Sequence, residues 1–440
     1  MKIAGLEADP NRGLAARHRD PRLHSYWMKP PRIAWAIALL LCLATTINYL
    51  DRQAIGIVSV EIRSEFALTE EHYSYIVSAF LFAYAIGYAV AGAIVDRLGA
   101  RRGFAVFMSS WSLAQLLHGF AVGKWSLGSY RFLLGLSEPG AWPAAAKAIA
   151  EWFPASQRAL AMGIFNAGSS LGSALAPVTV ALITLRYGWR SAFVVTGLAG
   201  IAWLALWLLF YRSPARSASE LARPAAGNWL ALLRARGCWT LILTRFLTDP
   251  VIYFVIFWLP DYLRRERGFD LAMVGEYSWV PFALGGVGYL IGGWLSGHLI
   301  EAGWPLGRAR KFTMDLGAAV LPIAMAAPFV PTAGLAIAAT CAITFGHGMW
   351  VANLQTIPTD LFHPSEVGTV TGFSGMGGAL GGALANLGTG YVVMYFSYAP
   401  VFLLAGLMHP LSAVLIYALL PDAQFGKSVW PRVPSLPVKI

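Results

Sequence analysis

Apolar stretches of about 20 residues recur along nearly the whole chain, each long enough to cross a bilayer core as a helix. They begin near Ile33, Tyr73, Gly103, Trp125, Ala159, Trp189, Trp239, Val274, Phe312, Ala333, Gly368 and Ala399, with short polar or Pro- and Gly-containing links between them. An all-α membrane protein with twelve transmembrane helices is therefore expected. Only 12% of the 440 residues are charged while 57% are hydrophobic, against about 25% charged in an ordinary soluble domain.

The first 32 residues are polar and Arg-rich and hold no apolar core or small-residue cleavage site, so they read as a cytoplasmic tail rather than a signal peptide. Cys42, Cys238 and Cys341 lie in or beside apolar stretches at unrelated spacings, which fits neither a disulfide framework nor a metal site. No metal and no cofactor are expected. The formal charge of +11 does not indicate a nucleic-acid partner, because the cations sit in short loops between spans instead of on one solvated face.

Those loops set the orientation. Lys2, Arg12, Arg17, Arg19, Arg22, Lys29 and Arg32 precede the first span; Arg97, Arg101 and Arg102 follow the second, and Arg158 follows the fourth. These segments are expected to be cytoplasmic. The opposite connections are poorer in cations or balanced by acids, as with Glu61, Arg63, Glu65, Glu70 and Glu71. A Pro-, Ser- and Arg-rich stretch from Arg212 to Arg236 marks a cytoplasmic linker. The expected organisation is a tail at 1–32, a six-helix bundle at 33–211, a linker at 212–237, a second bundle at 238–421 and a tail at 422–440. Both termini then lie on the cytoplasmic side of a bacterial inner membrane, and the chain is expected to act as a monomer among lipids.

The two halves resemble each other. Residues 151–193 align without a gap to 360–402 at a constant offset of 209, matching Phe153 with Phe362, Gly163 with Gly372, Gly168 with Gly377, Ala174-Leu175-Ala176 with Ala383-Leu384-Ala385 and Phe193 with Phe402. Gly87-Tyr88 and Gly92 match Gly288-Tyr289 and Gly293 at an offset of 201. Either match alone is within reach of chance between Ala/Gly-rich helices; two collinear matches across the linker point to duplication. Six spans per half give both halves the same orientation, a parallel repeat with a substrate site between two bundles.

The connection after the second span reads Gly92-Ala-Ile-Val-Asp96-Arg97-Leu-Gly99-Ala-Arg101-Arg102. Gly92 permits close helix approach and Gly99 a tight turn. This loop resembles the signature of the major facilitator superfamily at every fixed position. The resemblance implies a two-bundle transporter fold in which the loop gates between inward- and outward-open states; as bare positive-inside anchors these residues would not need the full pattern. The region between the eighth and ninth spans keeps a worn copy in Gly293, Gly297, His298, Arg308, Arg310 and Lys311.

Charges inside the spans are the candidate chemistry, since each costs roughly 2.5–3.5 kcal/mol on insertion scales and normally faces a cavity or a partner. The first span holds Asn48-Tyr49-Leu-Asp51-Arg52. Tyr49 and Arg52 share a helix face while Asp51 points about 100° away from Arg52. Alone, this is equally a substrate site or an ion pair to a neighbouring helix. The fourth span decides in favour of function: Arg131 and Glu138 stand seven apart on one stripe of an otherwise apolar helix that Pro139, Gly140 and Pro143 then loosen. Irregular backbone at membrane depth is tolerated where it lines a cavity. Tyr84 and Asn166 add hydrogen-bonding groups to the same half.

These motifs resemble the anion:cation symporter family, and Glu151-Trp152-Phe153-Pro154 with Phe165-Asn166-Ala-Gly168-Ser169-Ser170-Leu-Gly172 is similar to bacterial hexuronate transporters. The resemblance implies that Asp51 and Glu138 carry protons, that Arg131 couples to Glu138 within the helix, that Arg52 binds a substrate carboxylate, and that Tyr49 and Tyr84 line a sugar site. The implied activity is proton-driven import of a small organic anion, a hexuronate or aldonate; another carboxylate, aromatic or aliphatic, is the alternative. In the second half, Arg245 and Asp249 read as an i,i+4 salt bridge and His347 as a packed histidine. Trp350, Asn353, Gln355 and Thr356 place amides beside an aromatic surface suited to polyol hydroxyls, and Asn386 joins them; helix–helix hydrogen bonding is the competing role for each. No nucleotide loop, metalloprotease motif or cysteine cluster suggests an enzyme.

Overall fold

The computed structural model describes residues 30–213 and 229–426. The tail with Arg17-His18-Arg19, most of the 212–237 linker and the end of the C-terminal tail lie outside these residues. The first span is α1 (Arg32–Ile57). The second and third share one long helix, α2 (Glu70–His118), bent where Gly99 takes φ +79°, a value that a residue without Cβ adopts freely. The fourth span is broken into α3 (Lys124–Ser137), a 3₁₀ turn (Glu138–Gly140) and α4 (Ala141–Trp152). It is followed by α5 (Ala155–Tyr187) and α6 (Trp189–Phe210). The second half comprises α7 (Arg236–Arg267), α8 (Trp279–Glu301), α9 (Leu306–Val320, prolonged by a 3₁₀ stretch at Leu321–Ala326), α10 (Ala333–Leu354), α11 (Val367–Tyr395) and α12 (Ala399–Leu419).

Twelve spans thus begin close to where the apolar runs begin. Among the described residues, eight helices are long and apolar enough by themselves to cross a membrane, α2 containing two spans. Those that fall short are the broken fourth span with its buried charges, the polar α9 and the glycine-rich α11, which lie against other helices rather than relying on their own hydropathy.

The duplication has a physical counterpart in how backbones meet. A Cβ on Gly163 of α5 would lie 2.3 Å from the Tyr289 carbonyl oxygen of α8, and one on Gly372 of α11 would lie 2.5 Å from the Tyr88 carbonyl oxygen of α2. Gly172 likewise meets the Thr46 carbonyl of α1, and Gly381 the Phe246 carbonyl of α7. Each glycine and its repeat partner therefore seat equivalent helix pairs, α5–α8 and α11–α2 across the halves and α5–α1 and α11–α7 within them, and Thr46 and Phe246 occupy equivalent places. With no hydrophobic drive between helices in lipid, such close approach supplies much of the packing attraction.

Candidate functional site

A cavity of about 760 Å³ of unfilled space, counted to its open mouth, lies between the halves. Tyr49, Arg52, Tyr84, Tyr88, Trp142 and Asn166 line it from the first half; Arg245, Asp249, Tyr253, Tyr289, His347 and Gln355 line it from the second. Rings with hydroxyl tips dominate the wall, a surface that stacks on apolar faces and hydrogen-bonds polar edges.

Arg52, projected from α1, is the charged anchor. Its Nε and Nη2 donate to Glu138 Oε2 at 3.0 and 2.7 Å, and Nη2 also donates to the Tyr84 hydroxyl at 2.9 Å. The guanidinium lies over the Tyr49 and Tyr84 rings at 4.8 and 4.6 Å. Nη1 has no hydrogen-bond partner among the described residues, and 17% of the side chain stays exposed. Glu138 itself is wholly buried at the 3₁₀ turn, its Oε1 without a partner.

The remaining intramembrane charges stand behind this wall. Asp51 is wholly buried and does not reach the cavity. Arg131 sits over the Phe80 ring at 4.5 Å and donates from Nη2 to the Arg52 carbonyl oxygen at 2.9 Å. The expected coupling of Arg131 to Glu138 within the helix is therefore not a direct contact. Seven residues of helix separate two side chains by about 10.5 Å along the axis, whereas Arg52 faces Glu138 from α1 and offers two nitrogens at once.

Polar contacts also join the halves. Asn166 Nδ2 donates to Gln355 Oε1 at 2.9 Å beside the cavity. At the end of the bundle that carries the Gly92–Arg102 loop, Asp96 accepts from Gly368 N, Thr369 N and Thr369 Oγ1 at 3.0, 2.7 and 2.8 Å, and pairs with Lys147 at 2.8 Å. Gly92 makes room, since a Cβ there would lie 2.1 Å from the Gly368 carbonyl oxygen. Arg101 instead caps its own half, donating to the Leu208 and Tyr211 carbonyls at the end of α6; Arg97 and Arg102 are exposed. The worn copy does equivalent work: Arg310 pairs with Asp360 at 3.0 Å and donates to the Ala155 carbonyl at the start of α5. On this side the two halves are thus joined, as by a latch, by one set of contacts onto α11 and another onto α5.

The sequence model of the Major Facilitator Superfamily matches residues 41–386. This chain belongs to the Major Facilitator Superfamily. It is a multi-pass membrane transporter rather than an enzyme. Similar proteins include the hexuronate transporter of Escherichia coli strain K12, 29% identical over 413 residues, covering 89% of this chain and 94% of the relative. The D-galactonate transporter of Escherichia coli O6:H1 is 27% identical over 396 residues, covering 84% and 92%. Among solved structures, the proton:xylose symporter bound to 6-bromo-6-deoxy-D-glucose superposes with a TM-score of 0.68 at 16% identity, covering 88% of this chain and 96% of that one; this supports the fold.

Within that fold, Tyr49, Arg52, Tyr84 and Asn166 line the cavity, and four second-half candidates do not. Trp350 is wholly buried with its ring 5.4 Å from that of His409. Asn353 donates to the Gly292 and Met349 carbonyls, Thr356 to the Ala352 carbonyl, and Asn386 accepts from Trp258. Asn353, Thr356 and Asn386 thus bond backbone or a neighbouring helix, the competing role that any polar residue in a bundle has, while the Trp350 Nε1 has no hydrogen-bond partner among the described residues; composition alone did not separate them from Gln355. Arg245 and Asp249 form the expected i,i+4 salt bridge at 2.6 Å, and they also line the cavity. His347 is buried against His409. The lining residues that went unassigned include Tyr88, Trp142, Tyr253 and Tyr289. Tyr88 and Tyr289 are a repeat pair, and that symmetry was the signal available for them.

Proposed function

We propose that this protein is a proton-coupled symporter that imports a sugar acid, a hexuronate or an aldonate, by alternating access. The observation that carries this reading is the Arg52–Glu138 pair in the cavity wall. A substrate carboxylate is a better partner for Arg52 than a glutamic acid that has just taken up a proton, so proton binding and anion binding support each other at one guanidinium. The tyrosine hydroxyls around it suit the hydroxyls of a sugar acid, and the relatives named as hexuronate and galactonate transporters favour the same class.

The moving bodies in this scheme are residues 33–211 and 238–421, with the Arg-rich loops and both termini cytoplasmic in a bacterial inner membrane, by the positive-inside bias. The latched state is then the outward-facing one, in which the monomer takes substrate and protons from outside. Purified protein in proteoliposomes, given a panel of labelled acids with pH gradient and voltage imposed separately, is expected to accumulate hexuronates or aldonates under an inward proton gradient. Accumulation of aromatic or aliphatic acids in their place would remove the sugar-acid assignment.

The latch makes its own prediction. Asp96→Asn loses the ion pair to Lys147 and turns an amide donor toward donors at α11, a loss of about 1–3 kcal/mol for groups left unsatisfied. Transport rate is expected to fall at least several-fold while equilibrium substrate affinity changes little, because Asp96 lies outside the cavity lining. Measuring binding and uptake on the same preparation checks this; a variant that binds poorly yet cycles at the normal rate would contradict the gating role.

A further inference from the structure

The second half carries a charged pair that the proposed proton and substrate chemistry leaves unused. Arg245 Nε and Nη2 both engage Asp249 Oδ2, at 2.9 and 2.6 Å. This repeats how Arg52 Nε and Nη2 both engage Glu138 Oε2. In each pair, one guanidinium nitrogen is left without a protein partner. For Arg245 it is Nη1, which is buried and unsatisfied on a side chain only 9% exposed. Both guanidinium groups line the same cavity. An ordinary structural salt bridge would be satisfied by its bundle and sealed from the substrate path; this one is neither.

The setting also resembles an anion site in its shape. Arg245 lies over the Tyr88 ring at 5.9 Å, the Tyr88 and Tyr84 rings meet edge-on at 5.1 Å, and Arg52 lies over the Tyr84 ring at 4.6 Å. Two tyrosines meeting edge-on therefore join the two cations along one wall. Helix α11 leaves space for the pair: a Cβ on Gly378 would lie 2.0 Å from Asp249 Oδ2. By the correspondence of Thr46 with Phe246, Asp249 stands where Tyr49 stands in the first half, so the pair is not the repeat image of Arg52–Glu138 but a separate feature at another depth.

We propose that Arg245 and Asp249 form a second anion subsite, so that the preferred substrate is a sugar acid with a carboxylate at each end, one on Arg52 and the other on Arg245. This inference rests on the sugar-acid reading above and moves its preferred member from the one-ended hexuronates and aldonates to a two-ended acid. A substrate held by both ends bridges the two bundles across the cavity, which couples occupancy to their closure. A one-ended acid of the same length would leave Arg245 with Asp249 and gain only the contacts at Arg52.

The test compares a hexarate with the hexonate of matching stereochemistry by direct binding to the purified full-length protein. In the unmodified protein the hexarate is expected to bind about 30-fold more tightly or better, the scale of a buried charged contact. Arg245→Gln is expected to collapse that ratio toward one, with measurable hexonate binding showing that the variant is folded. Asp249→Asn, which keeps Arg245 and removes the competing charge, is expected to preserve or raise the ratio. Equal affinities in the unmodified protein, or a preference that survives Arg245→Gln, would overturn the subsite while leaving the one-ended sugar acid as substrate. Failure of both ligands to bind would overturn the sugar-acid reading and the subsite together.

Discussion

Arg52→Lys is expected to weaken substrate binding by about two orders of magnitude while leaving the protein folded. The expectation follows from how the guanidinium is used. One edge, Nε and Nη2, is committed to Glu138, the plane is sandwiched near the Tyr49 and Tyr84 rings, and Nη1 is the nitrogen left for a ligand. A lysine ammonium keeps the charge and can still pair with Glu138, so the buried carboxylate is not abandoned and thermal stability should change little. It cannot hold Glu138 with one edge and present a planar second contact to a carboxylate, and its point charge stacks less well between two rings. Titration calorimetry on purified variant protein separates these outcomes. Affinity equal to that of the unmodified protein would reassign Arg52 to a structural ion pair.

How far the site could be read from sequence depended on how each residue betrays itself. Asp51, Arg52, Arg131 and Glu138 are conspicuous because charge within an apolar run is costly and needs a reason, and all four converge on one region of the first half. The spans and their number followed from run length alone, and the Gly99 bend and the duplicated glycines from residue type and spacing. Polar but uncharged residues carry no such cost signal. Asn353 and Gln355 lie two apart in sequence, yet one is spent on the Gly292 carbonyl and the other reaches the cavity beside Asn166. Two positions along a helix amount to about 200° of rotation, so the facing of α10 decides the matter, and facing is set by partners from other helices. The same applies to Tyr88, Tyr253 and Tyr289, whose aromatic character suits core and cavity equally.

Glu138→Gln and Asp51→Asn are expected to abolish gradient-driven accumulation, a fall of at least tenfold, through different steps. Importing a singly charged anion into a negative interior opposes the membrane potential by roughly 2.3 kcal/mol per 100 mV. One proton per anion cancels that cost and uses only the pH gradient; two make import electrogenic and draw on the voltage as well. Two buried carboxyls in the first half match the second case, because a neutral acid crosses the apolar transition region far more cheaply than its anion. Their surroundings divide the work. Glu138 touches Arg52 directly, so its proton controls whether the anion site is free. Glu138→Gln fixes the neutral form, and the variant should still bind substrate and exchange it across the membrane without concentrating it. Asp51 has no place in the cavity wall, so Asp51→Asn should spare binding more completely and lose accumulation through the missing proton alone. Counterflow measured beside uptake under an imposed gradient reads both. Full accumulation by both variants would take these carboxyls out of the proton path, and voltage-insensitive uptake of a singly charged acid by the unmodified protein would reject the two-proton scheme.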